Sequence, residues 1–214
     1  MKPHLQLALD VTSLDQAFKI LALEHLVDTV DLIEAGTVLL ASEGKNAVTL
    51  LHQHYPNKRL VADFKIADAV TTIGSMLFEA GANLITVIAA ADIATMASAV
   101  QLADHYGQLI QIELYGRWNL ELASQWRNVG IQHVIYHHAR DASKPWDTSD
   151  LEKIKALIEL GFQVSVTGGL KPENVIFFQG LELYSFIIGR SLYEASDPLD
   201  VALAFQTQLK ACFK

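Results

Sequence analysis

One stretch, Ala62-Asp63-Phe64-Lys65-Ile66-Ala67-Asp68, gathers an ammonium group and two carboxylates within seven residues. Asp63 and Lys65 are two apart at the end of an apolar run, so on a strand both project to the same side. Asp68 follows three residues later, where a helix should begin. A lysine beside carboxylates stays protonated, because the neighbouring negative charge favours its charged form. Such an ammonium can stabilise an anionic intermediate or deliver a proton to one. The plainer reading of the same residues is an ion pair at a strand end, with Asp68 as the helix N-cap.

Two glycine turns suggest a second chemistry. Thr167-Gly168-Gly169 and Gly189-Arg190 each follow a strand-like run. Glycine lets backbone N–H groups approach an anion closely, and Arg190 can add charge-assisted bonds, which suits a phosphate. Either pair taken singly could be only a tight turn. His137 closes another strand-like run. A histidine there can handle protons near neutral pH, or can be a satisfied structural group. His138 points to the opposite face and is not expected to take part.

The elements that must position these residues are legible from periodicity. Strand-like runs fall at 5–9, 30–34, 60–63, 84–88, 109–114, 133–137, 163–167 and 184–189. Helix-like stretches fall at 14–25, 44–54, 69–80, 93–106, 120–129, 150–160, 172–179 and 198–211. Over 214 residues this is a strand–helix alternation repeated eight times, about 27 residues per unit. With no composition break, it predicts a single (β/α)8 barrel domain, the TIM-barrel α/β class, over 1–214. A doubly wound open sheet would carry a glycine-rich turn after its first strand, where this chain reads Leu9-Asp10-Val11-Thr12-Ser13. Strand phase agrees with the barrel. One face collects Gln6, Asp10, Asp63, Gln111, Glu113, His133, His137, Gln163, Ser165 and Thr167. Inside a barrel that face would crowd the C-terminal mouth, whereas an open sheet would bury it without partners.

Asp-x-Lys-x-x-Asp at the end of the third strand resembles the signature of the orotidine 5′-monophosphate decarboxylase superfamily, and more closely its 3-keto-L-gulonate 6-phosphate decarboxylase branch. The likeness runs in order along the chain: Leu7-Ala8-Leu9-Asp10, Ile33-Glu34-Ala35-Gly36-Thr37, Gln111-Ile112-Glu113-Leu114, Tyr136-His137, Arg140-Asp141, Val166-Thr167-Gly168-Gly169 and Gly189-Arg190-Ser191. The resemblance implies that Glu34 and Asp63 hold Mg2+, an ion suited to two carboxylates plus waters and substrate oxygens. It implies that Lys65 stabilises an enediolate left by loss of CO2, and that His137 and Arg140 help water reprotonate it. Asp10, Glu113 and Thr167 would bind substrate hydroxyls or hold Lys65, while Gly169, Gly189 and Arg190 would take the phosphate.

The implied substrate is a phosphorylated keto sugar acid from L-ascorbate or related sugar-acid breakdown. The implied assembly is a homodimer in which Asp68 reaches into the neighbour's site. The nearest competitor is 3-hexulose 6-phosphate synthase, which makes the same kind of intermediate but condenses it with formaldehyde. Orotidine monophosphate decarboxylase itself fits less well: that branch uses no metal, and Glu34 stands where it has a lysine. A non-catalytic sugar-phosphate-binding barrel would be expected to lack part of the Glu34, Asp63, Lys65, Asp68 and His137 set, which is complete.

Composition narrows the remaining classes. The chain is 51% hydrophobic, enough to bury a core and exclude disorder. A net charge of −8, without basic runs, argues against nucleic acid as a partner. A single cysteine, Cys212, allows no internal disulfide and fits a reducing compartment. No stretch approaches the roughly 18 apolar residues that span a membrane, and the segment 1–10 does not read as a secretory signal. The expectation is a cytoplasmic protein.

Overall fold

The computed structural model describes residues 2–139 and 145–213. Eight parallel strands close into a barrel in sequence order: β1 (His4–Leu9), β2 (Leu32–Ala35), β3 (Arg59–Ile66), β4 (Leu84–Ile88), β5 (Leu109–Leu114), β6 (His133–His137), β7 (Gln163–Thr167) and β8 (Leu183–Ile188). Closure is made by β8 pairing with β1, Leu5 opposite Phe186. The predicted barrel is therefore the observed one.

Leu5, Leu7, Leu9, Ile85, Ile112, Val134, Val166 and Phe186 face outward into the main apolar cluster shared with the helices. Burying each such side chain stabilises the fold by about 1.5–3 kcal/mol. Residues of opposite phase fill the lumen. They form two small apolar layers, Leu32–Val61–Leu84 low in the barrel and Ala8–Ile135–Ile187 above. Between and around these layers lie Gln6, Glu34, Asp63, Thr86, Gln111, Glu113, His133, Ser165 and Ser185, all buried. The polar face thus turns inward as its phase requires.

The outer ring comprises α1 (Leu14–Leu21), α2 (Leu26–Thr29), α3 (Thr37–Glu43), α4 (Lys45–His54), α5 (Val70–Glu79), α6 (Ile93–Tyr106), α7 (Leu120–Asn128), α8 (Thr148–Glu159), α9 (Arg190–Tyr193) and α10 (Pro198–Cys212), with Pro172–Phe178 as a 3-10 helix. Four strands, β4 to β7, match their predicted bounds. The stretch 14–25 ends early, at Leu21, and His25, left-handed at φ 62°, caps a separate short helix. Gly44, the expected helix start, also ends α3; its φ of +60° suits glycine and lets two helices meet there. β3 runs on past Asp63 to Ile66 through a register shift between Ala62 and Ile66.

Candidate active site

The register shift in β3 brings the site together. Lys65 sits in the left-handed region at φ 54°, a conformation that costs a non-glycine residue about 1 kcal/mol or more. Two anchors hold it there. Its N–H donates to Thr86 Oγ1 at 2.8 Å, and its ammonium pairs with Asp63 Oδ2. Nζ also donates to Thr37 Oγ1 at 2.7 Å and lies 3.8 Å from Glu113 Oε1. Burial alone would lower the lysine's pKa. The carboxylates of Glu113 and Asp63 outweigh it, and the ammonium is held above its usual range.

Asp63 is fixed from both sides, accepting from Thr86 Oγ1 and from Thr37 Oγ1, each at 2.8 Å. Glu34, at the end of β2, is only 5% exposed and accepts a bond from Gln6 Nε2. Gln6 Oε1 in turn accepts from Ser185 at 3.3 Å, and the Ser185 and Ser165 hydroxyls lie 2.9 Å apart. Burial, then the negative charges of Asp63 and Asp10, push the Glu34 carboxyl well above its usual range. Asp10 lies after β1 and accepts from the Val38 N–H at 3.2 Å. Glu113 ends β5 and accepts from His137 Nδ1; His137 Nε2 meets the Tyr115 hydroxyl at 3.1 Å.

Of these residues Asp10, Glu34, Thr37, Asp63, Lys65, Glu113, Tyr115 and His137 line one cavity of ≈ 1110 Å³ at the C-terminal ends of the strands, together with Thr167, Gly169, Gly189 and Arg190. Thr167 Oγ1 donates to the Ile187 carbonyl at 3.0 Å, which leaves its oxygen as an acceptor. Gly168 has φ 109°, and a Cβ there would lie 2.3 Å from the His138 carbonyl oxygen, so the turn admits only glycine. Gly169 beside it has open space at the position of a Cβ. Ser191 donates to the Leu170 carbonyl at 2.8 Å and ties α9, which follows β8, to the loop after β7.

Two expected members stand apart. Asp68 is exposed and does not line the cavity. Nor is it the N-cap of α5: that position is Ala69, at φ 54°, whose N–H donates to Asp68 Oδ1 at 2.7 Å. Arg140 lies outside the described residues. His138 stacks on Trp146 at 3.8 Å between ring centroids and pairs with Asp150, as its outward phase requires.

Four partners in the site carry no role in the sequence reading. Thr37 opens a helix where a loop is expected, and Thr86 and Gln6 act inside the lumen. Tyr115 continues the alternation Gln111, Glu113 by one further step, a signal the sequence does contain.

The donor set fits a hard divalent cation. Glu34 is a buried carboxylate with one amide donor, and acids surround it on the cavity side. No group of three or more His, Cys, Asp or Glu that could hold a metal occurs among the described residues. Two carboxylates, Glu34 and Asp63, would leave the remaining positions of such a cation to oxygens of water or substrate.

The family model for the "Orotidine 5'-phosphate decarboxylase / HUMPS family" matches residues 3–205. The 3-keto-L-gulonate-6-phosphate decarboxylase SgbH of Escherichia coli K12 is 42% identical over 213 residues, covering 98% of this chain and 96% of the relative. A ligand-bound crystal structure of KGPDC from Streptococcus mutans superposes with TM-score 0.95 at 40% identity, covering 100% of both chains. The 3-hexulose-6-phosphate synthase from Salmonella typhimurium superposes with TM-score 0.89 at 27% identity, covering 97% of this chain and 99% of that one.

Proposed function

The chain belongs to the orotidine 5′-phosphate decarboxylase / HUMPS family and is a carboxy-lyase, and from that premise we propose that it converts 3-keto-L-gulonate 6-phosphate to L-xylulose 5-phosphate and CO2. The observation that carries this reading is one cavity containing both a half-buried ammonium wedged between acids and the paired glycine turns after β7 and β8. Barrels often bind phosphate at those two loops. Backbone N–H groups of Gly169 and Gly189, with the Arg190 guanidinium, take the phosphate and fix the far end of the substrate. Binding energy spent there orients the reacting end.

Asp10 and Thr167 accept from substrate hydroxyls. Breaking the bond to the carboxylate leaves its electron pair on the remaining carbons and oxygens as an enediolate. Lys65 meets that charge with an ammonium already in place, so little reorganisation is needed as the charge develops. Glu113 holds Lys65 from one side and His137 from the other, and His137 with Arg140 serves the return of a proton to carbon. Glu34 and Asp63 would hold Mg2+, which when bound supplies a positive anchor for substrate oxygens. We also propose a homodimer, in which the exposed Asp68 completes the neighbour's site, and a place in L-ascorbate or related sugar-acid breakdown.

The experiment is CO2 release from 3-keto-L-gulonate 6-phosphate by the purified protein with Mg2+. The expected result is turnover that a chelator abolishes and Mg2+ restores. Turnover indifferent to the chelator would remove the metal from the reading. No CO2 release, with condensation of formaldehyde and ribulose 5-phosphate instead, would favour the synthase.

A further inference from the structure

Both ring nitrogens of His137 are engaged by side chains. Nδ1 is bonded to the Glu113 carboxylate, and Nε2 meets the Tyr115 hydroxyl at 3.1 Å, the two rings lying 4.5 Å apart and tilted by 45°. Tyr115 is half-buried and lines the cavity, and its ring centroid lies 5.7 Å from Lys65 Nζ. The phenol and the imidazole, joined by this hydrogen bond, therefore open on the same cavity as Lys65. His137 Nε2 is placed to exchange a proton directly with that phenol oxygen.

We propose that Tyr115 is a further catalytic residue, the group that hands the proton to carbon, with His137 behind it and Glu113 behind His137. The inference rests on the decarboxylase reading and deepens it. When His137 is protonated on both nitrogens, Nδ1–H donates to Glu113 and Nε2–H donates to the phenol oxygen. That arrangement frees the phenol hydrogen to point into the cavity. The O–H bond of Tyr115 breaks as a C–H bond forms at the carbon that lost CO2, and the enediolate collapses to the ketone. The phenolate takes the proton from Nε2, leaving neutral His137, which regains a proton from solvent. The charges balance, and no oxidant or reductant is required. Burial keeps the phenol protonated between turnovers, its pKa lying above the usual range.

Two variants separate this role from packing. Y115F keeps the ring and its contacts, removes the hydroxyl and keeps water from Nε2. Y115A opens space for a water to stand in for the hydroxyl. The relay predicts that Y115F lowers kcat by at least about tenfold with KM within about threefold, and that Y115A retains more activity than Y115F. The enediolate should also persist in Y115F, so added ferricyanide oxidises more of it per CO2 released than in the wild type. A smaller kcat loss in Y115F, an alanine variant worse than the phenylalanine one, or unchanged ferricyanide consumption would each overturn the relay. If Y115A does not fold, the kcat and ferricyanide measurements on Y115F decide. Wild-type CO2 release is read in the same assay. Its absence would overturn the decarboxylase reading and the relay together, whereas normal release with an unimpaired Y115F overturns the relay alone.

Discussion

The lower lumen and the mouth of this barrel treat charge in opposite ways. Low in the barrel, Leu32, Val61 and Leu84 form an apolar plug, and nearby His133 is driven by burial, and then by the charge of Arg59, down to a pKa of about 4. It stays neutral at pH 7, packed edge-on against Tyr184. At the mouth, the Lys65 side chain, 18% exposed, keeps its charge, because Glu113 and Asp63 hold it. Hydrogen bonding follows the same division. Asp63 is bonded on both oxygens, whereas the amide of Gln111 has no hydrogen-bond partner among the described residues. Burial by itself removes charge; burial with matched partners concentrates it, and that difference places the chemistry at one end of the cylinder.

The largest way to break this contrast is K65A. It removes the one ammonium bonded to Asp63 among the described residues and should lower kcat by about 1,000-fold or more, with the oligomeric state unchanged by light scattering. Activity retained at a tenth of the wild type would take the lysine out of the mechanism.

A smaller effect is expected where the two regions join. Gln6 Nε2 reaches up to Glu34 while its Oε1 accepts from Ser185 in the lumen. Q6L should weaken Mn2+ binding, followed by electron paramagnetic resonance, by about 10–100-fold, as expected when a partner that orients a metal ligand is lost. Unchanged affinity would show that Glu34 is aimed without Gln6.

The smallest effect concerns the lower lumen alone. The folded pKa of His133, about 4, lies below its ordinary value of 6.5, so the unfolded chain binds more protons between those values. Its contribution to stability is full above pH 6.5 and falls as the pH drops toward 4. Between pH 7.5 and 5 the wild type should lose about 1–2 kcal/mol more than H133L in urea unfolding, while kcat at pH 7.5 stays within about twofold. Parallel pH profiles for the two proteins would contradict this account of the plug.

Much of this division can be read in the chain. Alternation along the strands places Gln6, Asp63, Glu113, His133 and His137 on the inner face, because a period of two leaves a strand little choice. The grouping of Asp63 with Lys65 is also legible, although the strand reaches it through a left-handed lysine rather than by plain alternation. What stays hidden depends on contacts distant in sequence. Thr37 binds Lys65 28 positions away, and Ser185 binds Gln6 179 positions away. No local pattern encodes such pairs. Thr37 has a further disguise, since its helix ends at the same glycine that starts the next one and so reads as a loop. Spacing alone puts Asp68 at a helix start, but the left-handed Ala69 takes the cap and leaves the carboxylate exposed.

The central claim is that ammonium, metal ligands and phosphate cradle address one molecule at one mouth. A crystal structure with Mg2+ and a phosphorylated enediolate mimic tests it most directly. The expected result is the ion on Glu34 and Asp63, the phosphate against Gly169, Gly189 and Arg190, and an enediolate oxygen within hydrogen-bonding distance of Lys65 Nζ. A mimic seated with its phosphate elsewhere, or with Lys65 still turned to Asp63 and out of reach, would contradict the account.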